Sequence, residues 1–454
     1  MGKQTEKCFG LVVLVPCPYQ GHINPMLQLG TVLHSFGFSI TVVHTIFNSP
    51  DPKNHPHFIF VPISHGLSDQ DIAYGQIVDN IVEMNYNCKE NFRHFLEKLV
   101  MNEAHGEKIR CIISDELMFY AEAVAVDLNL PSIILRTTSA ATSYARCALV
   151  RFITQSSVLF EGSDSHDLVP ELHPLRFKDL PFSLSKDFGK FAELMGTVYG
   201  KRSSSAIIWN TSKCLEELTL EKIQQQSHVP IFPIGPLHMI VPFNISSSLI
   251  TEDRTCISWL DKQPHRSVIY VSSSGSIAAL TEKEVAEIAW GLANSNQSFL
   301  WVVRPGSVCG SDWIELLPKG FQDSVGDKGC IVRWASQREV LAHPAVGGFW
   351  SHCGWNSTLE SIGEGVPMLC KPSFGDQRVN ARYVSYVWRV GLELEELERG
   401  EIERAVRRLI LENEGNEMRE RVKEMKKEIE DTIQQGAFNL LALEMETNFQ
   451  IMMG

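Results

Sequence analysis

Apolar residues along this chain gather in short runs rich in valine and isoleucine, separated by longer stretches of mixed polarity. Uninterrupted apolar runs are the mark of parallel strands covered on both faces. They fall at Leu11–Val15, 39–43, 58–61, 109–113, 132–135 and 207–209, and the pattern restarts at 267–271, 299–303, 330–332, 348–350 and Met368–Cys370. Strands alternating with helical stretches predict parallel α/β sheets, and the restart predicts two doubly wound domains. Near the end, Met418, Val422, Met425, Ile429 and Ile433 recur at helical spacing among Glu, Lys and Arg, which predicts a solvated amphipathic helix.

Between the two strand series, residues 228–251 hold Pro230, Pro233, Pro236 and Pro242 and end in a serine-rich patch. Such residues interrupt regular structure, so the junction belongs here. The expected division is an N-terminal domain over 1–240, a linker over 241–255, a C-terminal domain over 256–435, and a tail over 436–454 returning to the N-terminal domain. Residues 151–205 mix Gly, Pro, Ser and charge and read as inserted helices and loops that shape a binding region.

A length of 454 residues suits about two domains, and the composition is that of an ordinary globular protein. The net charge of −13 speaks against nucleic acid as a partner, because binding a phosphate backbone calls for a basic face. Any anionic ligand must then be held by local donors. The run Leu11–Val15 is cut short by Pro16 and Pro18, and no run is long enough to span a bilayer. Eleven cysteines without paired spacing fit a reduced, cytoplasmic protein.

The richest segment is 334–377, WASQREVLAHPAVGGFWSHCGWNSTLESIGEGVPMLCKPSFGDQ. Gly347, Gly348 and Trp350 lead out of a strand into His352, Gly354, Asn356 and Ser357, after which Thr358 to Ser361 open a helix. A strand, a turn of small residues and a helix N-terminus make an anion site, because unpaired backbone N–H groups and the helix dipole face the ligand. A diphosphate fits that end, with His352, Asn356 and Ser357 adding donors. Glu360, one turn in, can accept from ribose hydroxyls. Trp334 follows a strand and offers a flat face to a nucleobase, or else fills a core.

The segment resembles the signature box of plant secondary-product glycosyltransferases, the UDP-dependent family with the GT-B fold of two facing Rossmann-like domains and a cleft between them. By that resemblance Trp334 stacks on uracil, Gln337 helps hold the nucleoside, Glu360 binds the ribose, and His352, Asn356 and Ser357 grip the diphosphate, with Gly354 allowing close approach. Asp376 and Gln377 are implied to bind the sugar hydroxyls, and the final Gln favours UDP-glucose. Trp355 either contacts the sugar or serves the core. Two departures stand out. Ser336 replaces the family's usual proline, and YVSSSGS at 270–276 is one residue longer than the usual loop, in which Gly275 and Ser276 resemble a flap over the phosphate.

Nearer the start, PCPYQGHIN at 16–24 places His22 in a strand-to-helix turn, and CIISDELMF at 111–119 places Asp115 just after another strand. Both positions lie on the carboxyl edge of a doubly wound sheet, where ligands bind. An aspartate bonded to one imidazole nitrogen fixes the tautomer and stabilises the imidazolium, so the pair can make a general base. The two are not shown to meet by the sequence itself; the resemblance implies that they do, and puts Thr137 near the donor sugar, although a buried hydroxyl is the plainer account of it.

The implied reaction transfers glucose from UDP-glucose, a co-substrate, to a hydroxyl, nitrogen or carboxyl group of a small apolar acceptor: a phenolic, terpenoid, cytokinin or benzoxazinoid. Inversion yields a β-glucoside. No metal is required, since fixed donors meet the leaving diphosphate, and Cys353 beside His352 has no neighbours at metal-ligand spacing. The expected protein is a monomer. A glycoside hydrolase would need two carboxylates about the sugar bond, and a dehydrogenase would carry G-x-G-x-x-G after the first strand. A non-catalytic UDP-sugar-binding protein is the alternative, and the presence of His22 disfavours it.

Overall fold

The computed structural model describes residues 9–66, 76–102, 107–155, 165–182, 188–243, 250–272, 275 and 279–435. Two compact units emerge. One gathers Met1–Ser157, Ser183–Leu249 and Glu430–Gly454; the other gathers Val158–Phe182 and Ile250–Ile429.

The first unit holds seven strands: β1 Leu11–Val15, β2 Ser39–Thr45, β3 Ile59–Ile63, β4 Ile109–Asp115, β5 Ser132–Arg136, β6 Ala206–Trp209 and β7 Ile231–Pro233. They lie in the order β3-β2-β1-β4-β5-β6-β7, all parallel. Every residue of β1 is buried, as a strand covered on both faces requires. On one face Val12 and Leu14 pack with Met26, Leu27 and Leu33 of the helix Gln20–Ser35; on another side of the sheet Trp209 and Ile134 pack with Leu220 of the helix Lys213–Gln226.

The second unit repeats the plan with six strands: β8 Val268–Ser272, β9 Ser298–Val302, β10 Gly329–Val332, β11 Val346–Ser351, β12 Met368–Cys370 and β13 Gly391–Glu393, in the order β10-β9-β8-β11-β12-β13. All are parallel. Numbered within its own unit, the second sheet follows the order 3-2-1-4-5-6 of a Rossmann domain and the first the same order with a seventh strand added at the edge; the direction of winding reverses beside the first strand of each. The switch points are β1/β4 and β8/β11. All the strands expected from the apolar runs are present. The short edge strands β7 and β13 come in addition.

The expected single boundary near 241–255 is too simple. Residues 165–182, described within Val158–Phe182, belong to the second unit because charge ties them to it. Arg176 bonds Asp179 and reaches both oxygens of Glu393 at 2.8 Å, Lys178 pairs with Glu395, and the Gly375 N–H donates to the Phe182 carbonyl at 2.8 Å. At the other end, the helix Asn413–Gln434 carries the amphipathic stripe, with Met418, Val422 and Ile429 buried. The expected tail over 436–454 lies outside the described residues.

Candidate functional site: a His–Asp pair and a phosphate-type turn

In the first unit the chain leaves β1 through Pro16-Cys17-Pro18 and enters the helix Gln20–Ser35, which sets His22 in the first helical turn at the switch point. Asp115 ends β4, the strand beside β1, and Thr137 follows β5, the next strand over. Their side chains converge. His22 Nδ1 lies 2.8 Å from Asp115 Oδ2 and 2.9 Å from Thr137 Oγ1. The other carboxylate oxygen of Asp115 accepts the Leu117 N–H at 3.0 Å, which fixes its orientation.

Beside a carboxylate acceptor, Nδ1 carries the ring proton, and the lone pair then resides on Nε2. Asp115 is fully buried while the His22 side chain is 19% exposed, so the pair has an inner partner and an outer, reachable one. Next to it, Cys17 is buried; burial first, then the charges of Asp115 and Glu116, push its thiol well above the usual range.

The second unit uses the same place in its own sheet. β11 ends at Ser351, His352 and Cys353 make the turn, and Gly354 opens the helix Trp355–Glu364. Cys353 takes a left-handed φ of +65°, an uncommon state for a residue with a Cβ. Asn380 holds that turn through its side-chain amide, which donates to the Cys353 carbonyl at 3.0 Å and to Asp376 at 3.1 Å. His352 lies against two glycines: a Cβ on Gly354 would stand 2.5 Å from its Nε2, and one on Gly275 2.7 Å. Burial lowers its basicity, which keeps the ring neutral near pH 7.

Gln337, first residue of the helix Gln337–Leu341, donates to Ser357 Oγ at 2.9 Å and to Glu360 Oε2 at 2.7 Å. Burial pushes the Glu360 carboxyl up to about 7, with Gln337 and Arg338 pulling the other way. Trp334 is half-buried between β10 and that helix, and its carbonyl accepts the Asp253 N–H. Asn356 is half-buried on the first turn of Trp355–Glu364.

Of the expected donor residues, Trp334, Gln337, His352, Gly354, Asn356, Ser357 and Glu360 lie along the β10 and β11 ends of the second sheet, and Asp376 is tied to them by Asn380. The structure adds detail to three of them. Gln377 is buried and its Oε1 accepts the Ser373 and Phe374 N–H groups, so its acceptor is spent on its own loop. Trp355 is 3% exposed and packs near Trp388, which fits the core reading of its indole, one of the two the sequence left open. Thr137 meets His22. Ser276 lies outside the described residues.

The profile of the family described as UDP-glucoronosyl and UDP-glucosyl transferase matches residues 232–427. UDP-glycosyltransferase 76E1 of Solanum lycopersicum is 49% identical over 425 residues, covering 92% of this chain and 87% of that protein. This chain belongs to the plant UDP-glycosyltransferases. A flavonol 3-O-glucosyltransferase of Arabidopsis thaliana is 46% identical over 456 residues, with 99% of this chain and 98% of that one covered. The structure of Phytolacca americana UGT2 complexed with UDP-2fluoro-glucose and pterostilbene matches with a TM-score of 0.82 at 27% identity, covering 97% and 100% of the two chains. A GT-B glycosyltransferase is therefore the enzyme class, and no helix among the described residues is long and apolar enough to cross a membrane.

Two residues of this UDP-glycosyltransferase escape a reading of the sequence alone. Asn380 stands four positions after Asp376, one helical turn, and that spacing is the available signal. Cys17 stands five positions before His22 across a proline, and no periodicity relates them.

Proposed function

We propose that this glycosyltransferase moves glucose from UDP-glucose to a hydroxyl of a small apolar plant metabolite, a phenol of flavonol or stilbene type being the first candidate, with inversion and with His22 as the general base. The observation that carries it is the 2.8 Å bond from His22 Nδ1 to a fully buried Asp115 at the switch point of the first sheet. The names of relatives support the substrates: one is a flavonol 3-O-glucosyltransferase, and a structural neighbour was solved with UDP-2fluoro-glucose and pterostilbene.

His22 Nε2 takes the acceptor proton while the oxygen attacks C1 from the face opposite UDP, so the α-linked donor gives a β-glucoside. The imidazolium that forms is stabilised by Asp115, and Thr137 holds the ring in place. The departing diphosphate is met by His352, by Asn356 and Ser357, and by the first amides of Trp355–Glu364. Glu360 and Gln337 take the ribose side, Trp334 the uracil, and Asp376 the sugar. Gln377 donates through its amide at most. In this reading no metal is needed and turnover survives EDTA. The ten cysteines among the described residues are all free thiols, which supports a reducing, cytoplasmic setting. A monomer is the proposed state.

The test is turnover of UDP-glucose with a panel of flavonols, stilbenes, terpenoid alcohols and N-heterocycles, read by mass and by the anomeric coupling of the product. His22→Ala is expected to lose about 100- to 10,000-fold in turnover and to keep UDP binding. Asp115→Asn should fall in a similar range, because the wrong tautomer is then allowed. An α-glucoside, or undiminished turnover in His22→Ala, overturns the mechanism; saturable UDP-glucose binding without any product favours a binding-only protein.

A further inference from the structure

We propose that Cys17, His22 and Asp115 form a site for a thiophilic divalent cation of the Zn2+ class, and that filling it switches the enzyme off. This regulatory role rests on the reading of His22 as the base. A thiol sulfur, an imidazole nitrogen and a carboxylate oxygen, one from each residue, all lie within 4.8 Å of one another. This is the donor set that zinc takes, and its ligand atoms stand about 3–4 Å apart around a tetrahedral ion with bonds of about 2.0–2.3 Å. Admitting it takes a small opening of the 2.8 Å His22–Asp115 bond and a closing of the wider separations, which are at most 4.8 Å.

The ligands are held in advance. Cys17 sits between Pro16 and Pro18, which restrict the backbone on both sides, and its carbonyl accepts the Tyr19 N–H at 2.8 Å. Asp115 is anchored through its second oxygen by the Leu117 N–H at 3.0 Å, the kind of outer support that orients metal ligands. Cys17 and Asp115 are fully buried and the His22 side chain is 19% exposed, so an ion enters from the His22 side and keeps water as its fourth ligand there.

The charges balance. Zn2+ replaces the thiol proton of Cys17, which leaves to solvent, and the resulting thiolate and the Asp115 carboxylate together neutralise the ion. The imidazole has two nitrogens and one proton. If the ion takes Nδ1, that proton moves to Nε2; if it takes Nε2, it uses the lone pair directly. Either way the base is consumed, so a cation at this place inhibits where a cofactor would activate.

The experiment uses the full-length protein with Co2+ as a spectroscopic probe and Zn2+ as the inhibitor, each as the metal alone in a buffer that does not chelate. Expected are a near-ultraviolet thiolate-to-cobalt band, loss of turnover on adding Zn2+, and recovery with EDTA. Cys17→Ser, checked by melting without metal, should turn over yet need at least about tenfold more Zn2+ for half-inhibition, as expected for a weakened ligand set. His22→Ala should lose or shift the cobalt band, a readout that does not depend on activity. Wild-type protein without the band, or equal Zn2+ inhibition of Cys17→Ser, overturns the site. A full cobalt band with unimpaired turnover leaves the site standing and overturns the switch, while the role of His22 as base stands or falls separately, on the turnover of His22→Ala.

Discussion

Glu360 sits where burial and hydrogen bonding pull in opposite directions. Burial dominates and raises its carboxyl to about 7, while the Gln337 amide at 2.7 Å favours the carboxylate. In the unliganded protein a raised value means that stability falls as pH rises from the ordinary carboxylate range through about 7. In the proposed site donor binding carries the opposite sign, because only the carboxylate would accept from two ribose hydroxyls. UDP-glucose affinity is therefore expected to drop about tenfold from about pH 8 to about pH 6, as the ionised fraction does. Calorimetry on wild type and Glu360→Gln checks it: the variant should bind weakly with a flat profile, and an unchanged slope would assign the titration to another group. At this scale the sequence reveals positions better than partners. His22 and Asp115 are legible because one stands in the turn after a strand and the other closes a strand. Their bond is not, because 93 residues separate them and only the strand order brings β1 beside β4. Trp355 shows the same limit, since an aromatic in a ligand-binding motif looks the same in sequence whether it faces a sugar or packs near Trp388.

The turn from β11 into the helix Trp355–Glu364 is an element whose geometry can be tested by one methyl group. A Cβ on Gly354 would stand 2.5 Å from His352 Nε2, yet the φ of −58° at Gly354 is open to any residue. Damage from Gly354→Ala then arises from displacement of the ring or from bulk at the phosphate, not from backbone strain. The variant is expected to melt within a few degrees of wild type and to bind UDP at least about tenfold more weakly, the scale of a few misplaced hydrogen bonds. His352→Ala and the double variant separate the two causes: no further loss in the double identifies the ring, and additive losses identify the bulk. This turn was legible because strand, small residues and helix follow one another directly. Strands β7 and β13 were not, for a physical reason. Three-residue edge strands show no period, and Ile231–Pro233 lies among prolines that an edge tolerates and a central strand does not.

Across the whole molecule, both sheets place their chemistry at the same point of the same strand order, beside β1/β4 and beside β8/β11. That repetition could be read from the restart of apolar runs. The path of the chain could not, because it depends on charge pairs far apart in sequence: Arg176 meets Glu393 at 2.8 Å, 217 residues away. Its side chain and that of Asp179 are nearly buried, so removing Arg176 leaves two carboxylates short of a partner in low dielectric. The segment also holds the loop proposed to face the donor, since the Phe182 carbonyl accepts the Gly375 N–H, next to Asp376. Arg176→Ala should therefore act at a distance in sequence. Backbone amides of 373–380 are expected to exchange faster with deuterium, and UDP-glucose affinity to fall about fivefold or more, in line with the loss of one good hydrogen bond at the sugar. UDP alone, held by residues 334–360 in the proposed site, should bind within about twofold of wild type, since nothing it touches is moved. Equal losses for UDP and UDP-glucose would mean that the segment supports the whole second unit and not only the loop proposed to face the sugar.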